Sequence, residues 1–141
     1  MLLDTNALLL PVRSRFPLAA EVDRLCPGAR LVIPSSALEE LERLVARRVP
    51  GASAARQLAR RYPVVPAQGR GDAGVLATAV RDRAWVVTAD RVLASRLQRA
   101  GLPVLVPRDR SRLELRPART HRETARGTPA PRKPGRRRQR L

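Results

Sequence analysis

The sequence predicts an α/β fold, a three-layer α/β/α sandwich with a central and mainly parallel sheet. Short β-branched runs alternate with longer segments of helical periodicity along residues 1–107. The predicted strands are apolar at consecutive positions, which is typical of strands that helices cover on both faces. Apolar residues make up 43% of the chain and aromatic residues only 2%, so Leu, Val and Ala must build the core.

Strands are predicted where short apolar runs end at Pro, Gly or polar residues, namely at 1–3, 31–33, 64–65, 85–88 and 103–106. Helices are predicted between them, at about 18–25, 36–48, 53–61, 72–83 and 91–100. Asp4 can also cap a helix that starts at Thr5 or Asn6. In the last unit, Asp90 is placed as the helix N-cap and Gly101 ends the helix before the final strand.

The net charge of +17 is shared by two parts of the chain. Residues 117–141 hold nine Lys/Arg against one Glu, with four prolines and almost nothing apolar. We therefore expect a domain at 1–116 and a disordered basic tail at 117–141. The tail residues predicted to bind RNA phosphates are Arg132, Lys133, Arg136, Arg137, Arg138 and Arg140.

The body at 1–116 is basic as well, with 20 basic and 11 acidic residues. A basic body indicates a polyanionic partner, and nucleic acid is the commonest one. The plain alternative is the composition of a GC-rich genome, since 28 of the 29 basic residues are Arg. Because aromatic residues are scarce, we expect RNA to be recognised by its shape or backbone rather than by base stacking.

Several classes of protein are disfavoured by what the chain lacks. It has no apolar run of about 20 residues and no visible signal peptide, so neither a membrane protein nor a secreted one is expected. The single Cys26 fits a reducing cytoplasm. The only His, His121, and the only Lys, Lys133, lie in the tail. The body therefore has no His base for a Ser or Cys nucleophile and no P-loop or Schiff-base lysine.

Four carboxylates fall near the edge where parallel strands end, which is the edge where such sheets bind ligands. Asp4 and Asp90 follow predicted strands directly, Asp72 opens a helix after the strand at 64–65, and Glu40 lies one turn into the helix after 31–33. Clustered carboxylates cannot all stay ionised without a cation, and oxygen ligands select hard ions such as Mg²⁺ or Mn²⁺. Such ions, singly or in pairs, catalyse phosphodiester hydrolysis.

Each carboxylate also has an ordinary structural explanation. Asp4, Asp72 and Asp90 could be helix N-caps, and Ser36 with Glu39 forms a capping-box pattern. On the helical wheel, Glu40 and Glu42 border the apolar stripe on opposite sides. Glu40 is our choice for the cleft, and Glu42 is the alternative.

The chain resembles PIN-domain ribonucleases in four blocks that occur in the family's order. They are LLDTNALL (2–9), VIPSSALEELERL (32–44), GDAGVLATA (71–79) and VVTADRVLASRLQRAGLPVLV (86–106). The resemblance implies catalytic and metal-binding roles for Asp4, Glu40, Asp72 and Asp90. It implies supporting roles for Asn6 and Thr88, and an endonuclease that leaves 5′-phosphate and 3′-hydroxyl ends.

The resemblance extends to two biological branches of the family. One contains VapC-type toxins, which pair with an antitoxin, and the other contains nucleases that process ribosomal RNA in precursor particles. The block at 86–106 is more similar to the second, archaeal-type branch. PIN-like domains often form homodimers, so a second copy of the chain is a possible partner.

Three functions therefore compete. The first is a metal-dependent endoribonuclease. The second is a catalytically weak RNA-binding or ribosome-assembly module, in which the carboxylates are only helix caps. The third is a small metal-dependent phosphatase or another α/β hydrolase; a basic arm on such a small-molecule enzyme would be hard to explain.

Overall fold

The structure is a computed structural model that describes residues 1–119. Its strands are β1 (Leu2–Leu3), β2 (Ile33–Pro34), β3 (Val64–Val65), β4 (Val86–Val87), β5 (Val104–Pro107) and β6 (Leu113–Arg116). Its helices are α1 (Thr5–Ser14), α2 (Leu18–Leu25), α3 (Ser35–Ala46), α4 (Ala52–Ala59), α5 (Gly71–Asp82) and α6 (Arg91–Arg99). The elements occur where the sequence predicts them, with two additions described below.

The central sheet has the order β1-β4-β5-β6, in which β1, β4 and β5 are parallel and β6 pairs with β5 in the antiparallel direction. A second parallel pair, β2-β3, joins it through a bridge between Leu2 and Val32. There the Leu3 N–H donates to the Val32 carbonyl at 2.9 Å. The five predicted strands therefore run parallel across both ladders, as expected.

The core divides into two clusters, one on each face of the sheet. Leu3 and Val87 pack on one face with α1–α4, whereas Leu2 and Val86 pack on the other with α5 and α6. Neighbouring strand residues point to opposite faces, so strands buried on both faces must be apolar throughout. The predicted three-layer α/β/α sandwich is confirmed.

Two features were not predicted. Helix α1 continues through Pro11 to Ser14, although proline removes an N–H donor from the helix. Strand β6 closes the sheet at an edge, and its sequence, LELR, has a single buried residue, Leu113.

A buried carboxylate on α2 holds β6 in place. Glu21 is 6% exposed and accepts hydrogen bonds from the Leu113 N–H at 2.9 Å and from Arg24 at 2.8 and 2.9 Å. Arg24 also donates to the Leu113 carbonyl at 3.0 Å. The Glu21–Arg24 pair and the backbone of Leu113 therefore satisfy one another's hydrogen-bonding groups. The ion pair holds the pKa of Glu21 at about 2.

The described chain ends beside α6. The Arg119 N–H donates to the Gln98 carbonyl at 3.0 Å, and the Gln98 side-chain amide donates to the Pro117 carbonyl at 3.0 Å. The domain boundary at 116/117 stays a prediction. Among residues 1–119, no helix has both the length and the apolar character needed to cross a membrane.

Candidate active site

Asp4 and Thr88 meet at the carboxyl edge of the sheet because β1 and β4 are parallel neighbours that end side by side. Asp4 is only 3% exposed, and Thr88 is buried. The Thr88 hydroxyl donates to Oδ2 of Asp4. The other oxygen, Oδ1, accepts the Ala7 N–H at 2.7 Å, so Asp4 also caps α1. These two bonds hold the carboxylate in one orientation.

Asp90 is linked to the same pair through Thr88. Its backbone N–H donates to the Thr88 hydroxyl oxygen at 3.0 Å. Its side chain caps α6 by accepting the N–H groups of Val92 at 2.8 Å and Leu93 at 3.1 Å. Because Thr88 accepts from Asp90, its own proton is directed to Asp4, and the three residues form a single hydrogen-bonded chain.

Glu40 reaches this region from α3. The Thr5 hydroxyl lies 3.1 Å from Oε2 of Glu40 and 3.1 Å from the Ala37 carbonyl, so Thr5 ties the first turn of α1 to α3. Glu42 points elsewhere and pairs with Arg56 on α4 at 3.1 Å. Packing between helices thus separates the two glutamates that the helical wheel left as alternatives.

Two predicted caps are wrong. The N-cap of α3 is Pro34, which makes no side-chain cap, so Ser36 and Glu39 do not form a capping box. The N-cap position of α5 is Arg70, and Asp72 is the second residue of that helix. In each case the helix begins one residue earlier than the sequence predicts.

Asp72 is positioned by a tight contact between α5 and the loop before it. A Cβ atom on Gly74 would lie 2.5 Å from the Gly69 carbonyl oxygen and 2.9 Å from the Ser36 Cβ, so only glycine fits there. Thr78 strengthens the contact, because its hydroxyl donates to the Gly74 carbonyl at 2.7 Å and accepts the Gln68 N–H at 3.1 Å.

Ser36 lies in the same contact, and its hydroxyl has no hydrogen-bond partner within residues 1–119 although the residue is 1% exposed. Its neighbour Ser35, in contrast, accepts the Ala67 N–H at 2.8 Å. Sequence reasoning missed the positioning contacts of Thr5, Gly74 and Thr78. No local signal marks them, because each depends on which elements pack together.

The carboxylates perturb one another electrostatically. Burial raises the pKa of Asp4 to about 7; the Thr88 and Ala7 hydrogen bonds oppose this, and the charges of Asp72 and Asp90 add to it. The pKa of Asp72 is also raised, first by burial, then by the adjacent Asp90 and by Glu40, while Arg96 acts in the opposite direction. The structure thus brings all four predicted carboxylates into one electrostatic neighbourhood.

The donor set suits a hard divalent cation, because it consists of carboxylate and hydroxyl oxygens without Cys or His. Asp4 is buried, and the charges of Asp72 and Asp90 repel its carboxylate, which is the situation that such a cation would stabilise. The side chains of residues 1–119 nevertheless do not bring three or more His, Cys, Asp or Glu close enough together to hold a metal ion. The fit therefore rests on the chemistry of the donors, and the ligand assignment stays a prediction.

The remaining predicted site residues are less central. Asn6 is exposed on the first turn of α1, where it lines a groove of about 260 Å³ with Leu9, Leu10, Arg13 and Ala89. Its supporting role stays a prediction. The predicted RNA-binding residues of the tail, Arg132, Lys133, Arg136, Arg137, Arg138 and Arg140, lie outside the described residues.

Comparisons with known proteins agree with this architecture. The sequence model of the family described as "PIN like domain" matches residues 1–110. A solved structure described as "Structure of the PIN domain endonuclease Utp24" is similar to this chain with a TM-score of 0.68 and 21% sequence identity, and the match covers 84% of this chain and 93% of that one. At this identity the likeness concerns the fold. No curated protein matches the sequence significantly.

Proposed function

Because the chain belongs to the PIN like domain family, we propose that it is a Mg²⁺- or Mn²⁺-dependent endoribonuclease that hydrolyses RNA phosphodiester bonds. The observation that carries the proposal is Asp4, a buried carboxylate at the carboxyl edge of the sheet whose pKa is raised to about 7. A carboxylate buried without a cationic partner is costly and marks a functional site. Three further carboxylates on other elements share its neighbourhood.

In this proposal the quartet Asp4, Glu40, Asp72 and Asp90 holds one or two divalent ions. When bound, such ions lower the pKa of a water molecule and stabilise negative charge on the phosphoryl oxygens. The protein contributes orientation. Thr88 and the Ala7 N–H fix Asp4, Thr5 restrains Glu40, and the first turn of α6 fixes Asp90. Preorganised ligands of this kind reduce the rearrangement needed to bind a cation.

The basic body and the tail supply affinity for the RNA in this proposal. Residues 117–141 act as a basic arm appended to a nuclease domain at 1–116. The net charge of +17 favours a polyanionic substrate and implies binding that weakens steeply with salt. A small phosphoester substrate would leave that charge without a role, so the phosphatase alternative is weaker.

We propose precursor ribosomal RNA in the cytoplasm as the substrate, on the strength of the resemblance at 86–106. A VapC-type toxin is the alternative. Isolation of the protein from its native source discriminates them, since a toxin co-purifies with an antitoxin and the processing enzyme with ribosomal precursor particles.

The test is an RNA cleavage assay with the purified protein in Mn²⁺, Mg²⁺ or EDTA, on a structured ribosomal RNA fragment and an unstructured oligomer. We expect cleavage only with metal. Asp4→Asn should reduce the rate at least about 1000-fold, which corresponds to about 4 kcal/mol of lost transition-state stabilisation.

Glu40→Gln and Glu42→Gln form a matched pair for the same assay. They remove one charge each on the same helix, but only Glu40 lies in the acidic neighbourhood. We expect Glu40→Gln to be inactive and Glu42→Gln to retain cleavage. RNA binding without cleavage by the wild type, unchanged in Asp4→Asn, would reject the nuclease in favour of an RNA-binding module.

A further inference from the structure

A second concave surface lies at the opposite, amino edge of the sheet. It is a groove with a volume of about 570 Å³, formed where the loop before β2 and the loop before β4 meet the end of β6. Its apolar lining includes Leu25, Ala84 and Leu115. Small-molecule and nucleotide sites typically have volumes of about 300–1,000 Å³, so the groove is large enough for a single base.

The groove presents the only tryptophan of the chain. Trp85 is 36% exposed, whereas Phe16 is 3% exposed and belongs to the core. Helix α5 ends at Asp82, and Arg83 then adopts a left-handed conformation with φ 48°, which turns the chain back toward β4. This turn leaves Trp85 at the start of β4, on the wall of the groove.

The charges around the groove are mainly positive. Arg30 and Arg83 line it, are exposed, and take part in no ion pair within residues 1–119. The one carboxylate of the lining, Asp82, is paired with Arg81 at 2.8 and 3.0 Å. An anion entering the groove therefore meets two free guanidinium groups, while the only carboxylate already has a partner.

We infer that this groove binds single-stranded RNA, with one base stacked on Trp85 and the neighbouring phosphates on Arg30 and Arg83. This departs from the expectation, based on the scarcity of aromatic residues, that RNA is recognised without base stacking, because Trp85 is exposed in the groove. The inference rests on the proposed function for its ligand class. An aromatic face beside arginines is the combination by which proteins bind unpaired nucleotides.

The groove is separate from the acidic site. Trp85 and Thr88 lie at opposite ends of β4, three residues apart, which is about 10 Å of extended chain. A base stacked on Trp85 therefore does not contact the carboxylates of the acidic site. The groove should raise affinity for long single-stranded substrates without changing the chemical step.

Trp85 fluorescence tests the inference directly in the full-length protein. The protein is titrated in EDTA with a single-stranded RNA oligomer, and separately with inorganic polyphosphate, which has the charge but no bases. We expect saturable quenching by RNA and none by polyphosphate. RNA that binds without quenching would overturn the inference, as would Trp emission that depends on protein concentration without RNA, since that indicates a second copy in the groove.

Variants provide a readout that does not depend on fluorescence. Trp85→Leu should weaken RNA binding roughly 5- to 100-fold, and Trp85→Phe should restore most of the affinity because it keeps an aromatic face. Arg30→Gln should weaken binding more than Arg61→Gln, a matched exposed arginine away from the groove. Equal affinities of Trp85→Leu and the wild type would overturn the inference.

Cleavage kinetics separate the groove from the nuclease. We expect Trp85→Leu to raise KM for a long unstructured RNA and to leave kcat unchanged. If Trp85 is required for binding but no RNA is cut, RNA binding by the groove is supported and the proposed nuclease activity is rejected. If RNA is cut and KM does not respond to Trp85→Leu, the groove fails and the nuclease stands.

Discussion

Asp4 and Glu21 are both buried carboxylates, yet their surroundings shift their pKa values in opposite directions. Glu21 accepts two hydrogen bonds from Arg24 and one from the Leu113 N–H, and its pKa is held at about 2. Asp4 accepts two hydrogen bonds but has no cationic partner among residues 1–119, and its neighbours are other carboxylates. Its pKa is raised to about 7.

The difference separates a carboxylate that stabilises the fold from one that the proposed function uses. Glu21 is neutralised by the protein and fastens β6, so its charge stabilises the fold. In the proposed function, a divalent ion compensates the charge of Asp4. Burial alone therefore does not mark a site; burial without a counter-charge does.

The largest expected effect is on the stability of the protein, which Asp4 and Glu21 should change in opposite directions as the pH rises. The folded pKa of Asp4 lies above its unfolded value of about 3.8, so stability should fall as the pH rises from about 4 to 7. Asp4→Asn removes this cost and keeps the helix cap. In EDTA at pH 8 the variant should be more stable, by up to about 4 kcal/mol, as measured by urea unfolding.

Glu21→Gln should show the opposite dependence of stability on pH in the same unfolding experiment. The folded pKa of Glu21 lies below its unfolded value, so its contribution is complete above about pH 4.5 and is lost as the pH falls toward 2. The variant should be less stable than the wild type at pH 7, and the gap should close in acid. If Asp4→Asn and Glu21→Gln both destabilised the protein at pH 8, this account would be contradicted.

The first turn of α5, which carries Asp72 and Gly74, should be less tolerant of added volume than the loop after α2. Gly74→Ala forces a Cβ against the Gly69 carbonyl and should cost about 1–3 kcal/mol, measured by thermal unfolding. Gly28→Ala is the control, because its Cβ meets nothing within 4 Å and only its φ of 76° is strained. A Gly74→Ala variant as stable as the wild type would show that the contact at Gly74 is not tight.

Removal of the Thr88 hydroxyl tests whether Asp4 needs its one side-chain hydrogen bond. Thr88→Val keeps the shape but leaves Asp4 and the Asp90 N–H without this partner. We expect cleavage to fall about 10- to 100-fold, as for other groups that orient metal ligands. Thr88→Ser should restore it, and a Val variant as active as the wild type would remove Thr88 from the site.

The smallest effect concerns two adjacent serines on α3. Ser35→Ala breaks a hydrogen bond to Ala67 and should cost about 1 kcal/mol. Ser36→Ala removes a buried hydroxyl without a described partner and should be neutral or stabilising by up to about 1 kcal/mol. Chemical unfolding of both variants provides the measurement. A clear loss in Ser36→Ala would indicate a bound water at that hydroxyl.

Local patterns in the sequence determined most of the secondary structure and part of the site. The apolar runs located β1 to β5, because a strand buried on both faces has to be continuously apolar. The positions of Asp4 directly after β1 and of Asp90 shortly after β4 were enough to place them at one edge of the sheet. Their capping bonds to Ala7 and to Val92 are also local, within three residues along the chain.

Only the tertiary structure decided the rest, since those choices depend on residues far apart in the chain. Strand β6 forms because β5 and Glu21 provide its hydrogen-bond partners, and its own sequence has too few apolar residues to predict a strand. The pairing of Glu42 with Arg56 leaves Glu40 as the glutamate of the acidic neighbourhood. The raised pKa of Asp4 likewise arises from burial and long-range neighbours, which no local pattern encodes.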